Sequence, residues 1–553
     1  MLREWVQSIV EAVIILLVLF VFLWPVSING TSMQPSLENK DRAFISRFSA
    51  WTDSFGRGDI VVFDAEDFDE NMVKRVIAVG GDYIEIADGN VYVNGEMLDE
   101  DYIAGSTYGD IKLNIDSLTS EGSGIGRYDG FAVFVRGVVP GDEITAHIIK
   151  CSKNYAIAIV KDIIKPSKYR IESDCPVSDK CGGCSFRNVS YDEELKYKRT
   201  RVNDALERIG RLDIEVEEII GADCTQNYRN KAQYPVSICD GELFAGFYAY
   251  KSHRIICCDD CKLQPIEFKA GLDAFRLWAE KADITSYDEN TGKGLLRHIY
   301  FRKGFATGDI MACAVINSGK LPQSELLVSL LKEKVAGLKS VVININREKS
   351  NVILGKESKT LWGDDYISDE LLGKKFVISP NSFYQVNHAQ CEKLYSKARD
   401  YANLGGDEVL LDLYCGVGTI GLTMADSVKQ LVGIEIIPQA IENAKINAKL
   451  NNIDNAKFIC ADAPKGAEIL KSEGIKPDVI ILDPPRKGCA PSLFDTVCQM
   501  NPKRIVYVSC DSSTLARDLK ILEEKGYKTK KVSAVDMFPR TPHIEAVALI
   551  EKI

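Results

Sequence analysis

A glycine-rich turn after an apolar run is the strongest sign of ligand binding in the sequence. Residues 409–421 read VLLDLYCGVGTIG, which predicts a strand, a turn and then a helix. Three glycines have the G-x-G-x-x-G spacing, Gly416, Gly418 and Gly421. Small residues there let the backbone approach a ligand closely. Glu435 ends the next apolar run, 23 positions after Asp412, where a carboxylate can accept hydrogen bonds from ribose hydroxyls. These residues alone fit a dinucleotide, S-adenosylmethionine or a plain tight turn.

A second apolar run ends in two prolines and separates these alternatives. Residues 478–488 read DVIILDPPRKG. A strand that ends in Asp-Pro-Pro resembles the motif that methyltransferases place beside the donor methyl group and the target base. The prolines stiffen the backbone and set its direction there. Dehydrogenases have no need of such a segment, so the motif favours a methyltransferase.

The cysteines are numerous and grouped. Sixteen are present, and three of them form the pattern Cys175-x5-Cys181-x2-Cys184. A second group follows at Cys257, Cys258 and Cys261, the last of them 77 positions after Cys184. A secreted protein pairs its cysteines, whereas a cytosolic one keeps thiols for metals or catalysis, and the grouping favours the second case. Three near thiols and one distant thiol can hold a [4Fe–4S] cluster or zinc.

The charge is unevenly distributed. The formal net charge is −11, yet residues 1–111 alone contain 7 basic and 19 acidic residues. The rest of the chain is nearly balanced. Any surface that binds a nucleic acid must therefore be a local basic patch.

The elements that must position these groups form several domains, as expected for 553 residues. From about Phe376 strands and helices alternate, which predicts a parallel sheet wrapped by helices in a Rossmann-like α/β domain. Residues 131–135 (FAVFV) and 155–160 (YAIAIV) are predicted strands of a small OB-type β-barrel. Between them and the α/β domain, residues 171–370 mix strands and helices.

Four segments together closely resemble the RNA (uracil-5-)-methyltransferase family. They are SPNSFYQVN at 379–387, LDPPRKG at 482–488, IVYVSCDSSTLARDL at 505–519 and HIEAV at 543–547. The resemblance runs from about residue 112 to the C-terminus. The preceding barrel resembles a TRAM domain, and a TRAM domain with a cysteine cluster is the arrangement of the 23S rRNA enzymes of the family. The tRNA enzymes usually lack both, so the resemblance implies 23S rRNA as the substrate.

The chemistry of the family explains its residues. C5 of uracil is a poor nucleophile until a thiolate adds to C6, and the C5 proton must leave afterwards. The resemblance implies that Cys510 is the nucleophile and Glu545 the base. It also implies contacts to S-adenosylmethionine from Gln385, Tyr414, Glu435 and Asp483, in addition to Gly416 and Gly418 of the glycine-rich turn. Asp462, which ends the run KFICAD, is expected to bind the adenine amino group.

The family pattern C-x5-C-G-G-C favours a [4Fe–4S] cluster over zinc. The resemblance implies Cys175, Cys181, Cys184 and Cys261 as its ligands, because Cys261 precedes K-L-Q as the distal family ligand precedes a similar run. Cys257 and Cys258 are then bystanders. Methyl transfer needs no electrons, so a structural or RNA-positioning role is expected.

Contacts to RNA are expected from a local basic patch. The first candidates are four residues of one predicted helix, Lys196, Lys198, Arg199 and Arg201, for which a solvated helix face is the alternative. The second are Tyr228, Arg229, Asn230 and Lys231, which resemble a family motif. The target base must leave its stack to reach Cys510.

The first 111 residues resemble a truncated type I signal peptidase, a membrane-anchored serine protease. Residues 12–28 are the only strongly apolar run and reach the lower limit for a membrane anchor, with a buried helix as the alternative. GTSMQPSL, RGDIVVF and KRVIAVGGD complete the match. The resemblance implies Ser32 as nucleophile and Lys74 as its base, neutral through burial. The closing segment of that family, G-D-N-x-x-x-S-x-D-S-R, is missing, which predicts an inactive protease.

The predicted domains are the peptidase-like segment 1–111, a TRAM domain at 112–170, a cysteine-bearing domain at 171–370 and the methyltransferase domain at 371–553. Because no methionine lies between Met97 and Met311, the chain resembles two genes fused in frame, by a genuine deletion or an assembly error. A membrane signal peptidase with a fused partner is the alternative function. The methyltransferase part is expected in the cytoplasm, with membrane association through residues 12–28. No protein partner is inferred.

Overall fold

The computed structural model describes residues 22–28, 33, 36–47, 51–52, 54–65, 70–87, 90–99, 110–239, 241–289 and 291–553. The chain divides into two units. The first contains residues 1–114, 126–135 and 143–165, and the second contains residues 115–125, 136–142 and 166–553.

Short antiparallel strands make up the described part of the peptidase-like segment. β1 pairs with β2, and Trp24 lies opposite Ile45 in that pair. β3 pairs with β4, the strand that contains Lys74. Ser32 and residues 12–21 of the expected anchor lie outside the described residues. Within the described ranges no helix has the length and apolarity that a membrane crossing requires. The C-terminal end of the expected anchor is β1, and Pro25 there is incompatible with a helix interior. The strands are β1 Leu23–Ser27, β2 Arg42–Ser46, β3 Ile60–Ala65, β4 Glu70–Arg75, β5 Ile84–Ala87, β6 Asn90–Val93 and β7 Glu96–Met97.

A closed five-stranded barrel follows, in the strand order β10-β12-β11-β8-β9. Alternate residues point inward, so that Val133, Val135, Ile144 and Ala146 are buried. This confirms the expected barrel. The first strand begins at Asp110, so the predicted boundary after residue 111 falls inside it. The strands are β8 Asp110–Leu118, β9 Gly124–Tyr128, β10 Phe131–Val135, β11 Glu143–Cys151 and β12 Tyr155–Lys165.

The cysteine-bearing domain contains a seven-stranded sheet, ordered β16-β15-β14-β17-β18-β19-β20. Its two central strands are buried on both faces. Phe268 and Phe275 of α2 pack against Phe301 on one face, with ring centroids 5.2 and 5.9 Å apart. Tyr300 and Met311, on the other face, join the core of the following domain. The elements are α1 Tyr191–Ala205 with a π-turn at Leu206–Gly210, β13 Glu218–Ile220, β14 Lys231–Cys239, β15 Glu242–Tyr248, β16 Ile255–Cys257, α2 Glu267–Lys281, β17 Leu296–Lys303, β18 Ile310–Ile316, α3 Ser324–Lys334, β19 Leu338–Ile345 and β20 Glu357–Gly363.

The C-terminal domain is the expected sheet wrapped by helices, with eight strands in the order β13-β28-β29-β27-β26-β23-β24-β25. β23, β24, β26 and β27 run parallel, so their carboxyl ends share one edge. β29 is antiparallel to β27 and therefore begins at that edge. The elements are β21 Ile367–Leu371, β22 Lys374–Ile378, α4 His388–Ala402, β23 Val409–Leu413, α5 Thr419–Met424, a 3-10 turn at Ala425–Ser427, β24 Gln430–Glu435, α6 Pro438–Leu450, β25 Ala456–Cys460, α7 Ala463–Ser472, β26 Val479–Leu482, α8 Pro491–Met500, β27 Arg504–Ser509, α9 Ser512–Glu524, β28 Tyr527–Val535 and β29 Glu545–Lys552.

Candidate active site

The glycine-rich turn joins β23 to α5 and leaves its backbone accessible. Gly416 and Gly418 have φ angles of 55° and 85°, in the region that favours glycine. A Cβ atom at Gly416 would meet nothing within 4 Å, so the space beside it is open to a ligand. At Gly418 a Cβ atom would lie 2.9 Å from Leu422, so glycine is needed there for packing. Tyr414 enters the turn with a φ of 66°.

Two carboxylates brace this turn. Glu435, at the end of β24, accepts hydrogen bonds from the backbone N–H groups of Gly416 (3.2 Å) and Ile437 (3.0 Å). Buried Asp412 accepts one from Gly421 N at 3.0 Å. Burial raises the pKa of Asp412 to about 8. Glu435 therefore lies where β24 meets the open turn, which is the position expected for a carboxylate that binds ribose hydroxyls. Asp412 supports the same turn through its hydrogen bond from Gly421 N.

Two further residues that are predicted to bind the methyl donor lie in neighbouring loops. Gln385 is buried in the loop between β22 and α4, where its backbone carbonyl accepts from Asn230 Nδ2 at 2.8 Å. Asp462 follows β25 and caps α7, because its Oδ1 accepts from Lys465 N at 2.8 Å. The carboxylate of Asp462 thus already has a structural role.

The Asp-Pro-Pro loop is held by the helix that follows Cys510. Asp483 directly follows β26, and burial raises its pKa to about 7. Asp518 of α9 accepts from Cys489 N at 2.9 Å and from Tyr507 Oη at 2.6 Å. Arg517 donates to the carbonyls of Lys487 and Cys489 at 3.2 and 3.1 Å. These bonds lock residues 486–489 against α9.

Cys510 and Glu545 face each other at the same edge. Cys510 follows β27, and Glu545 begins antiparallel β29 beside it. Burial raises the pKa of Cys510 to about 11, and the negative charges of Glu545 and Asp483 add to that rise. Burial and the charge of Asp483 also raise the pKa of Glu545 well above its usual value. Arg486 opposes the shift at both groups, so its cation faces the pair.

Sequence reasoning did not single out Arg486, Arg517 or Asp518. Arg486 lies inside the Asp-Pro-Pro motif, and the other two end the segment that contains Cys510. A search for charged residues within those motifs could have found them. Their contacts across the loop, however, depend on the packing of α9.

The cysteines of the first group lie near Cys261. The charge of Cys261 acts on both Cys181 and Cys184, whose pKa values are raised mainly by burial. A hydrogen bond from Cys258 lowers the pKa of Cys175 to about 6 and that of Cys261 to about 7. Cys258, the expected bystander, therefore lies within hydrogen-bond distance of two of the predicted ligands. In the described ranges, no three His, Cys, Asp or Glu residues are arranged to hold one metal ion.

Several residues of the expected basic patch have structural partners. Lys198 is 1% exposed and lies between Glu194 (2.7 Å) and Asp536 (2.6 Å), so its expected contact with RNA is wrong. Its burial follows from α1 packing against the 536–540 segment. Arg199 donates to Val216 O at 2.6 Å, and the ammonium group of Lys196 pairs with Glu193 on the surface.

Comparison with known proteins identifies the family. A model of tRNA (uracil-5-)-methyltransferase matches residues 331–553, and a TRAM-domain model matches residues 110–161. A Clostridium tetani protein described as an uncharacterized RNA methyltransferase is 46% identical over 445 residues, covering 80% of this chain and 96% of that protein. A Halalkalibacterium halodurans protein of the same description is 43% identical, covering 80% and 96%. This chain belongs to the RNA (uracil-5-)-methyltransferase family.

A solved structure agrees with this assignment. Pyrococcus abyssi tRNA (uracil-54, C5)-methyltransferase in complex with S-adenosyl-L-homocysteine is 28% identical, with a TM-score of 0.65, covering 80% of this chain and 100% of that chain. The expected function is confirmed: the chain is an S-adenosylmethionine-dependent methyltransferase that modifies C5 of a uridine in RNA.

The N-terminal segment of this methyltransferase has a separate match. A signal peptidase (peptidase S26) model matches residues 2–132. This match overlaps the TRAM-domain match from residue 110 to residue 132. The expected resemblance of the first 111 residues is thus confirmed at the level of family.

Proposed function

We propose that this methyltransferase modifies a uridine of 23S rRNA. The observation that carries the proposal is the order of domains, in which a TRAM barrel precedes a cysteine-bearing domain. Within the family this arrangement is typical of the 23S rRNA enzymes. A tRNA substrate is the second candidate, because the solved relative from Pyrococcus abyssi is described as a tRNA (uracil-54, C5)-methyltransferase.

Methylation of unmodified transcripts separates the two candidates. We expect methyl transfer from labelled S-adenosylmethionine to 23S rRNA, at a uridine that mass mapping of fragments identifies. A tRNA transcript of the same organism should remain unlabelled. Efficient labelling of tRNA with none on 23S rRNA would replace the first candidate by the second.

Cys510 is assigned as the nucleophile and Glu545 as the base. The Sγ–C6 bond forms first, which makes C5 nucleophilic. The methyl group then moves from the sulfonium to C5. Glu545 removes the C5 proton, and elimination breaks the Sγ–C6 bond. The neighbouring positions of the two residues support these roles, and the positive charge of Arg486 favours the thiolate and the carboxylate by lowering both pKa values.

S-adenosylmethionine supplies the methyl group, and seven residues are assigned to hold it. They are Gly416, Gly418, Gln385, Tyr414, Glu435, Asp462 and Asp483. The open space beside Gly416 and the bracing of the turn by Glu435 support the assignment. Asp462 remains the least direct candidate, since one of its oxygens caps α7.

Cys175, Cys181, Cys184 and Cys261 are assigned as ligands of a [4Fe–4S] cluster. A zinc ion requires four sulfurs to converge on one point, whereas a cubane binds each thiolate at a different corner. The charge of Cys261 acts on both Cys181 and Cys184, so the near thiols and the distant thiol of the sequence pattern lie close together, which supports a shared site. The guanidinium of Arg187, beside Cys184, suits an anionic cluster. Its role is structural or RNA-positioning.

The four domains are assigned as 1–111, 112–170, 171–370 and 371–553, with the methyltransferase part on the cytoplasmic side, where RNA and S-adenosylmethionine occur. The peptidase-like segment, with Ser32, Lys74 and the apolar run at 12–28, is assigned as proteolytically inactive. The missing closing segment of the signal peptidase family supports this.

A further inference from the structure

The loop that ends at Glu545 has few bonds of its own. This base loop, residues 537–544, joins β28 to β29. Inside it, Thr541 donates to Phe538 O through its N–H at 3.1 Å and through its hydroxyl at 2.8 Å. Arg540 has a φ of 69°, a left-handed conformation that a non-glycine residue adopts only when its surroundings impose it. The cause must therefore lie outside the loop.

Groups of the cysteine-bearing domain hold the carbonyl oxygens of the base loop. Four carbonyls receive such hydrogen bonds: Phe538 O from Lys198 Nζ (3.2 Å), Pro539 O from Tyr228 Oη (2.9 Å), Arg540 O from Ser185 N (3.0 Å) and Phe186 N (3.1 Å), and Pro542 O from Arg201 Nη1 (2.6 Å). Three of these hydrogen-bond donors, Lys198, Tyr228 and Arg201, are side chains that the sequence predicted to contact RNA. They bind protein backbone instead.

Arg540 ties the loop to the same domain a second time. Its N–H donates to Glu194 Oε1 at 2.7 Å, and its guanidinium donates to Val189 O at 2.8 Å. Glu194 and Asp536 are fully buried and share Lys198. A buried network of this kind is costly when one member is missing, so it favours one arrangement of the loop. Ser185, which bonds to Arg540 O, directly follows Cys184.

Cys510 has hydrogen-bonded support that does not involve Tyr228. It lies between β27 and α9, whose first turn is capped by Asp511 through Ser513 N and Thr514 N at 2.9 and 3.0 Å. Loosening the base loop should therefore move Glu545 and leave the nucleophile in place.

We propose that the cysteine-bearing domain positions the base: Tyr228 and Arg201 donate hydrogen bonds to the base loop, and Arg540 of the loop bonds back to Glu194 and Val189, so that Glu545 lies beside Cys510. The inference rests on the proposed roles of Cys510 and Glu545. It gives the cysteine-bearing domain a part in one chemical step, removal of the C5 proton, in addition to any contact with RNA.

The test measures which step slows in Tyr228→Phe, Arg201→Gln and the double variant of the full chain. At saturating 23S rRNA, turnover should fall about fivefold for each lost hydrogen bond. The fraction of enzyme trapped as a covalent RNA adduct should rise, because addition and methyl transfer still proceed. Arg208→Gln is the matched control, since its exposed guanidinium lies in the π-turn that directly follows α1 and pairs with Asp204.

Glu545→Gln provides the reference for a blocked base. If Glu545→Gln accumulates adduct and the double variant does not, the positioning role is refuted while the proposed mechanism stands. If Glu545→Gln itself gives no adduct, the proposed mechanism fails instead. Weaker RNA binding with no adduct in the Arg201 variant would make Arg201 an RNA contact and overturn its assignment here.

Hydrogen exchange gives a readout that needs no catalysis. Without RNA, amides of residues 537–545 should exchange about fivefold faster in Tyr228→Phe than in the parent protein, because one bond to the loop is lost. Peptides of α9 should be unchanged. Equal exchange of the base loop in both proteins would contradict the proposal.

Discussion

Cys510 and Glu545 are the two residues directly next to the last pair of one antiparallel ladder. The last pair between β27 and β29 is Ser509 with Ala546, so the next residue on each strand stands opposite the other. Cys510 leaves β27 where Glu545 enters β29. The two residues, 35 positions apart in sequence, thus lie at the edge where the strands beside the donor turn also end. They are near enough for the charge of Glu545 to raise the pKa of the Cys510 thiol.

Cys510→Ala should abolish methylation and leave binding of S-adenosyl-L-homocysteine unchanged. Cys510 acts on uracil, whereas the donor turn lies at β23 and β24. Calorimetric titration of the variant with S-adenosyl-L-homocysteine checks this. A parallel loss of affinity would mean that Cys510 supports the donor site.

Glu545→Gln should trap methylated RNA on Cys510. The amide cannot accept the C5 proton, so elimination of the thiolate is blocked after methyl transfer. A denaturing gel with labelled RNA should show a shifted band, and Cys510→Ala should remove it. RNA binding without an adduct would argue against Glu545 as the base.

Alkylation of Cys510 in the free enzyme should be slow near neutral pH. Its pKa is raised to about 11, so at pH 8 only about one molecule in a thousand carries the thiolate. The rate should rise with pH up to that value. Because the charge of Glu545 raises the thiol pKa, Glu545→Gln should lower it and speed alkylation at pH 9. Iodoacetamide labelling followed by peptide mass spectrometry gives both rates.

The exposed Cys224 in the same protein is the internal control for that experiment. Its rate should not change in Glu545→Gln. A Cys510 rate equal to that of Cys224 at pH 8 would contradict the raised pKa.

Replacing each of the four proposed cluster ligands by serine should remove iron and bleach protein purified without air. The Cys257→Ser variant should keep its iron. The Cys258→Ser variant should keep it too, although the Cys258 thiol is hydrogen-bonded to Cys175 and Cys261. Iron content and visible absorbance are the measurements. Stoichiometric zinc without iron in the parent protein would overturn the cluster assignment.

Residues 110–553 should methylate RNA without the preceding segment, and residues 1–109 should not cleave a preprotein. The truncation begins at Asp110 because β8 starts there and Asp110 pairs with His147 across the barrel. Starting at residue 112 would remove two residues from that strand and lower thermal stability. Signal-peptide cleavage by the full chain that is lost in Ser32→Ala would refute the inactive assignment.

The sequence by itself determined the local motifs, the family and the type of reaction. A glycine turn, a strand that ends in Asp-Pro-Pro and an alternating barrel strand such as FAVFV depend on neighbouring residues and their period. The structure has these elements close to where the sequence predicts them. The candidate nucleophile and base could also be named, because each lies within a recognisable motif.

Only the tertiary structure decided how distant residues pair. Lys198 looked like a surface cation in a basic helix, yet packing brought it to Asp536, 338 positions away, and buried it. Tyr228 and Arg201 likewise donate to carbonyls more than 300 positions distant. Local periodicity cannot encode such pairs, because they arise when segments far apart in sequence bury their polar groups against each other and each group must find a partner. The position of Glu545 opposite Cys510 depends on that packing as well as on its motif.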